Sequence, residues 1–216
     1  MVADSPTSIM RLCVVRRLPA AGAFGVRSTL PRHSSAQDTT RRYSTSIPRA
    51  QRLNGRTPGF RAICLMPTNL YGPGDNFDLQ TSHVLPALLR KVHEAKERGD
   101  SAVSVWGTGT PRREFLHVDD LADAVLYLLH SYEGESIVNV GWGEDVAIRE
   151  LAEIVMSVIG YSGRLLFDPT KPDGTPRKLL DVSRLSGLGW QAKIPLKDGI
   201  ERTYAWFKSH SSEARL

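Results

Sequence analysis

Cysteine is nearly absent from this 216-residue chain, which has only Cys13 and Cys64. Two cysteines, one of them inside the apolar run Ala62-Ile63-Cys64-Leu65-Met66, support neither a disulfide framework nor a thiolate metal site, and a reducing compartment fits. Cys64 reads as a small buried hydrophobe. No apolar stretch approaches the roughly 20 residues that span a bilayer, so a soluble chain with no membrane partner is expected. Acidic residues are scarce at one end: residues 1–58 hold ten Arg and two Asp, a balance of +8. The whole chain carries +5, which leaves −3 for residues 59–216. The basic excess belongs to the tail, and the acid-leaning body lacks the Lys/Arg face that nucleic acid requires.

Residues 1–58 also lack any sustained period of 2 or 3.6. Rich in Arg, Ser, Thr, Pro and Gly, they predict a disordered tail. The same composition suits an organelle transit peptide, with Arg41-Arg42-Tyr43-Ser44 as a processing site, so the expected location is cytoplasmic or, alternatively, organellar. Leu12 to Val15, followed by Gly22 and Gly25, is a poor match to a dinucleotide-binding turn, because Arg16, Arg17 and Pro19 intervene and no helical pattern follows.

From residue 59 the pattern becomes that of one α/β domain. Ala62–Met66 reads as a buried strand ending at Pro67. Ser82 caps a predicted helix carrying Val84, Leu85, Leu88, Leu89 and Val92 at helical spacing, stopped by Gly99. Val103, Val105 and Trp106 form a strand before a Gly/Thr turn. Asp119 or Asp120 is expected to start the next helix, a reading preferred to metal ligation with His117, and no metal is expected. Ile137–Gly141 is a strand, Ile148–Ile159 a helix ended by Gly160, Leu165–Phe167 a strand, and Ile200, Tyr204 and Phe207 face a last helix. Tyr204 and Lys208 match a Tyr-x-x-x-Lys spacing, but core packing of an amphipathic helix explains them better.

Three loops carry polar chemistry. Pro67-Thr68-Asn69-Leu70-Tyr71-Gly72-Pro73 follows a buried strand, where open α/β sheets place ligand loops, although an ordinary turn would look alike. Arg112-Arg113 lies on a Gly/Thr turn after Trp106, where a guanidinium fork can grip a pyrophosphate. Trp106 reads either as core or as a face for a base or sugar. Lys171-Pro172-Asp173-Gly174-Thr175-Pro176-Arg177-Lys178 combines charges suited to phosphate and sugar hydroxyls with a stiff backbone.

Together these blocks resemble the carboxyl-terminal half of the GDP-L-fucose synthase family of extended short-chain dehydrogenases, over about residues 61–216. The resemblance implies the last strands of a Rossmann sheet plus a small α/β substrate domain. It implies NADP(H) as cofactor, a GDP-sugar as substrate and a homodimer. By position, Pro67, Thr68, Asn69, Leu70 and His83 would meet the cofactor, and His83 would be the acid/base residue, its near-neutral pKa suiting proton exchange. Lys91, Trp106, Arg113, Arg164 and Asp173 would hold the substrate. The Gly-rich turn and the catalytic Tyr and Lys of that family have no counterpart in residues 1–58. The chain alone is therefore expected to be nearly inactive, and a non-catalytic sugar-nucleotide-binding or dimer-forming remnant is the alternative.

Overall fold

The computed structural model describes residues 12–17 and 60–210, with side chains from Ala62 to His210. Strands β1 (Leu12–Arg17), β2 (Phe60–Pro67) and β7 (Val138–Val140) form one sheet in the order β1-β2-β7. β2 runs parallel to β7 and antiparallel to β1, with Leu12 opposite Leu65 and Arg17 opposite Phe60. A strand at Leu12–Arg17 corrects the expectation of an unstructured stretch for those six residues. Their backbone satisfies the hydrogen-bonding edge of β2 that β7 leaves open. The remainder of the 1–58 reading, including the transit-peptide alternative, lies outside the described residues.

The rest of the chain alternates as the sequence pattern predicts. β3 (Asn69–Tyr71) pairs in parallel with β6 (Phe115–His117), and β4 (Ala102–Trp106) with β9 (Arg164–Asp168). β5 (Arg112–Arg113) lies between β10 (Arg177–Lys178) and β8 (Val146–Ala147). The helices are α1 (Val84–Arg98), α2 (Val118–Ser131), α3 (Ile148–Ile159), the short α4 (Ser183–Gly187) and α5 (Leu196–Ser209).

Two apolar cores result. One gathers Leu85, Leu89, Val103, Val105, Leu151, Val155, Ile200 and Phe207 between α1, α3, α5 and β4. The other gathers Ile63, Leu65, Leu121, Leu128, Val138 and Val140 between β2, β7 and α2. α3 buries Ile148, Leu151, Ala152, Val155 and Ile159. Each large side chain there contributes about 1.5–3 kcal/mol on burial. That outweighs the helix-propensity cost of its β-branched residues, at most about 0.7 kcal/mol each. Tyr204 is packed in the first core with its hydroxyl 3.1 Å from His93 Nδ1, as core packing predicts. Cys64 is buried, also as expected.

Two helix starts differ from the sequence reading. The cap position of α1 is His83 rather than Ser82, and neither side chain caps the helix: His83 makes no cap bond and the buried Ser82 Oγ has no hydrogen-bond partner. α2 is capped by His117, not by Asp119 or Asp120. The His117 backbone is extended (φ −65°, ψ 142°), which lets its Nδ1 accept the Asp119 N–H at 3.2 Å. Asp120 instead turns its carboxyl oxygens to the Lys193 and Ile194 amides, at 3.1 and 3.0 Å.

Because Nδ1 accepts, the proton of a neutral His117 sits on Nε2, which is buried without a partner. The ring stands edge-on to Tyr71 at 5.4 Å. Burial pushes the imidazole below its usual value of 6.5; Asp119 and Asp120 oppose that shift and Arg202 adds to it. A second proton would have to go on Nδ1, break the cap and charge a buried ring. With a depressed folded-state pKa, the contribution is complete above about pH 6.5 and declines as pH falls toward the lower value, because the unfolded chain takes up a proton the folded one refuses. Urea unfolding of wild type and His117→Asn between about pH 7.5 and 5 checks this. Asn keeps a cap acceptor and removes the titration, so the variant should lose less stability across that range, and parallel profiles would contradict the assignment.

Candidate sugar-nucleotide site

The site grows from the carboxyl ends of β2 and β4. After Trp106 the chain turns through Gly107 and Gly109, both in the left-handed region (φ 80° and 77°), and the turn is closed by a remote residue. Asp173 accepts the Thr108 N–H at 2.6 Å through one carboxyl oxygen and the Thr108 hydroxyl at 2.8 Å through the other. A Cβ on Gly107 would overlap Asp173 Oδ1. The Gly-rich turn thus holds the Lys171–Lys178 loop at close range.

Arg113 is buried, and its guanidinium donates to the Thr175 carbonyl at 2.6 Å and to the Arg112 carbonyl at 2.9 Å. At least one arm of this fork therefore anchors the loop. Arg112 donates to Asp145 at 2.7 Å, Arg177 joins the same carboxyl, and both hydrogen bonds hold that acid well below the ordinary carboxylate range. The β10-β5-β8 sheet is clamped by this three-residue cluster.

Glu114, which sequence reasoning missed, ties the remaining segments together. It is fully buried; Oε1 accepts the Gly143 N–H at 2.7 Å and Oε2 the Leu180 N–H at 3.0 Å. Its carbonyl accepts from Asn69 Nδ2 at 2.7 Å and Thr68 Oγ1 at 3.2 Å. Arg-Arg-Glu-Phe reads as a charged turn, and its partners lie 29 to 66 residues away. No local signal marks it.

Of the predicted residues, the structure links Pro67–Leu70, Arg113, Asp173, Trp106 and Lys91 through consecutive contacts. Trp106 is 41% exposed, which settles its reading as a surface ring, and Lys91 Nζ lies 5.3 Å from its centroid. Burial of that lysine lowers its pKa. Arg164 pairs with Ala102, two rows of alternate residues from the Trp106–Asp168 pair. It shares the outer face of the β4–β9 ribbon with Trp106, roughly 13 Å along the strands. His83 is exposed at the start of α1, roughly 12 Å along the helix from Lys91. Among the described residues, no hydrogen bond, ion pair or ring contact joins His83 to the Trp106 group. Burial raises the Asp75 pKa, and the Asn76 amide and the His83 side chain oppose that rise. A separate cleft of about 260 Å³, lined by Trp142, Glu144, Ser186, Trp190 and Gln191, includes none of the predicted residues. No group of three or more His, Cys, Asp or Glu among the described residues is arranged to hold a metal ion.

Gly107→Ala tests the Trp106 turn. The substitution meets both the left-handed backbone and the Asp173 carboxyl, so a loss of about 1–3 kcal/mol is expected in chemical unfolding. An unchanged midpoint would mean that Asp173 does not hold the turn.

Comparison with known proteins identifies the family. A GDP-L-fucose synthase of Arabidopsis thaliana is 60% identical over 149 residues, covering 69% of this chain and 46% of its own length. The Escherichia coli GDP-L-fucose synthase is 54% identical over 160 residues, 70% of this chain and 50% of its own. The chain thus spans about half the length of these curated relatives. The crystal structure of a GDP-L-fucose synthetase from Naegleria fowleri bound to NADP superimposes with a TM-score of 0.67 at 31% identity, covering 70% of this chain and 48% of that one. The model of the NAD dependent epimerase/dehydratase family matches residues 33–141, and the chain belongs to that family.

Proposed function

We propose that this chain forms the sugar-nucleotide side of an NADPH-dependent epimerase/reductase that converts GDP-4-keto-6-deoxy-D-mannose to GDP-L-fucose. The observation that carries the reading is the convergence of Trp106, Lys91 and Asp173 on one turn at the end of β4. An exposed indole offers a flat face to a base or sugar, and the Lys91 ammonium beside it, in no ion pair among the described residues, suits phosphate. Arg164, on the same face, extends the cationic surface over a distance suited to a nucleotide, while Arg113 acts on the loop that presents Asp173.

Pro67, Thr68, Asn69 and Leu70 fit the wall of a nicotinamide pocket. They lie at the carboxyl end of β2, a strand parallel to β7, where ligands of such sheets bind. The Thr68 and Asn69 side chains donate to Glu114, which holds this segment in place. When bound, NADPH supplies the hydride that reduces the ketone.

Inversion at the carbons beside a ketone needs proton removal from one face and return to the other. His83 is the residue of this chain assigned to that exchange. Its side chain is exposed and is not used to cap α1, which leaves the imidazole available to a ligand.

The exchange step is measurable without hydride transfer. Deuterium uptake from D2O at the carbons flanking the ketone, followed by mass spectrometry, should occur with wild type and fall by about 10²–10⁴ in His83→Gln. GDP-mannose affinity should be unchanged in the variant. Equal uptake by both proteins, or none by wild type, would contradict the assignment.

A further inference from the structure

Two ammonium groups converge on one exposed ring. Lys91 Nζ stands 5.3 Å and Lys171 Nζ 5.7 Å from the Trp106 centroid. Lys91 comes from α1, whereas Lys171 comes from the turn after β9, and that turn is firmly made. Asp168 Oδ1 accepts the Thr170 N–H at 3.0 Å and its hydroxyl at 2.5 Å. The Asp168 carbonyl accepts both the Gly107 N–H at 2.9 Å and the Lys171 N–H at 3.2 Å. Asp173 then closes the loop onto Thr108.

Neither ammonium takes part in an ion pair among the described residues. The acid next to Lys171 in space, Asp168, has its Oδ1 occupied by Thr170. Two like charges near one ring repel, and each cation–π contact at an exposed site is weak. An anion carrying charge on two adjacent centres would relieve that repulsion at both ends.

We propose that Lys171 is a specificity-determining residue that binds the second phosphate of a nucleoside diphosphate, with Lys91 on the other phosphate. The inference rests on the sugar-nucleotide reading of this face and narrows it. Lys171 accounts for preference of a diphosphate over a monophosphate. Because Lys171 is exposed, its replacement leaves the fold intact, and an unchanged melting temperature is the control.

Calorimetric titration of GDP, GMP and inorganic pyrophosphate into wild type, Lys171→Gln and Lys171→Arg tests this. Wild type should bind GDP at least about tenfold more tightly than GMP, a difference that Lys171→Gln reduces to within about threefold and Lys171→Arg largely restores. Added salt should weaken GDP binding more in wild type than in Lys171→Gln. Full GDP preference in Lys171→Gln, or none in wild type, would overturn the assignment while leaving the sugar-nucleotide reading standing if GDP still binds. Pyrophosphate binding as tightly as GDP, and in a Lys171-dependent way, would support the phosphate contact and remove the nucleotide from the reading. If neither GDP nor pyrophosphate binds, both proposals fall.

Discussion

A single buried acid holds the functional half of this structure in register. Glu114 sits between β5 and β6 with no solvent exposure, and its carboxyl oxygens, carbonyl and amide all engage other segments. Its amide donates to Lys178 at 3.2 Å, so the polar groups of one residue reach the Pro67–Leu70 segment, the Gly143 turn and the Lys178–Leu180 strand end. Burying an acid costs several kcal/mol unless its oxygens find donors, about 1–3 kcal/mol for each unmet partner. Here two backbone N–H groups offset that cost. Gly141 is part of the same arrangement, since a Cβ there would overlap Glu114 Oε1.

Around that acid, neighbouring polar residues tie loops together. Arg113 holds Thr175, Arg112 and Arg177 share Asp145, and Asp173 holds the Trp106 turn. Lys91 and Lys171 lie beside the Trp106 ring at the edge of this frame, and Arg164 lies on the same ribbon face. On the proposed reading, a backbone held this way, with Lys171 and Arg164 exposed and Lys91 half-buried, suits recognition of a phosphorylated ligand on a preformed surface.

Much of the fold was legible in the sequence because its signals are local. The run Ala62–Met66 announced β2, and the helical spacing in 84–98 and 148–159 announced α1 and α3 with Gly99 and Gly160 as their left-handed stops. What escaped depended on distant partners. His117 caps α2 because β3 and β6 bury its ring beside Tyr71, whereas the acidic pair after it looked like the natural cap. Strand β1 pairs with residues about 50 positions away. Arg113 reads as a phosphate fork in sequence, and its Nη1 bond to the Thr175 carbonyl, 62 residues away, had no local signal. Trp106 was ambiguous in sequence, since strand alternation fixes which face a side chain takes and not whether that face is covered.

The central claim is that Glu114 couples segments far apart in sequence into one frame. Amide hydrogen exchange of wild type and Glu114→Ala is the direct measurement. The account predicts that protection falls together at Gly143, Leu180 and the 68–70 and 171–178 segments, while the α1 and α3 amides keep theirs. Loss confined to Gly143 and Leu180, with the two loops as protected as before, would contradict it.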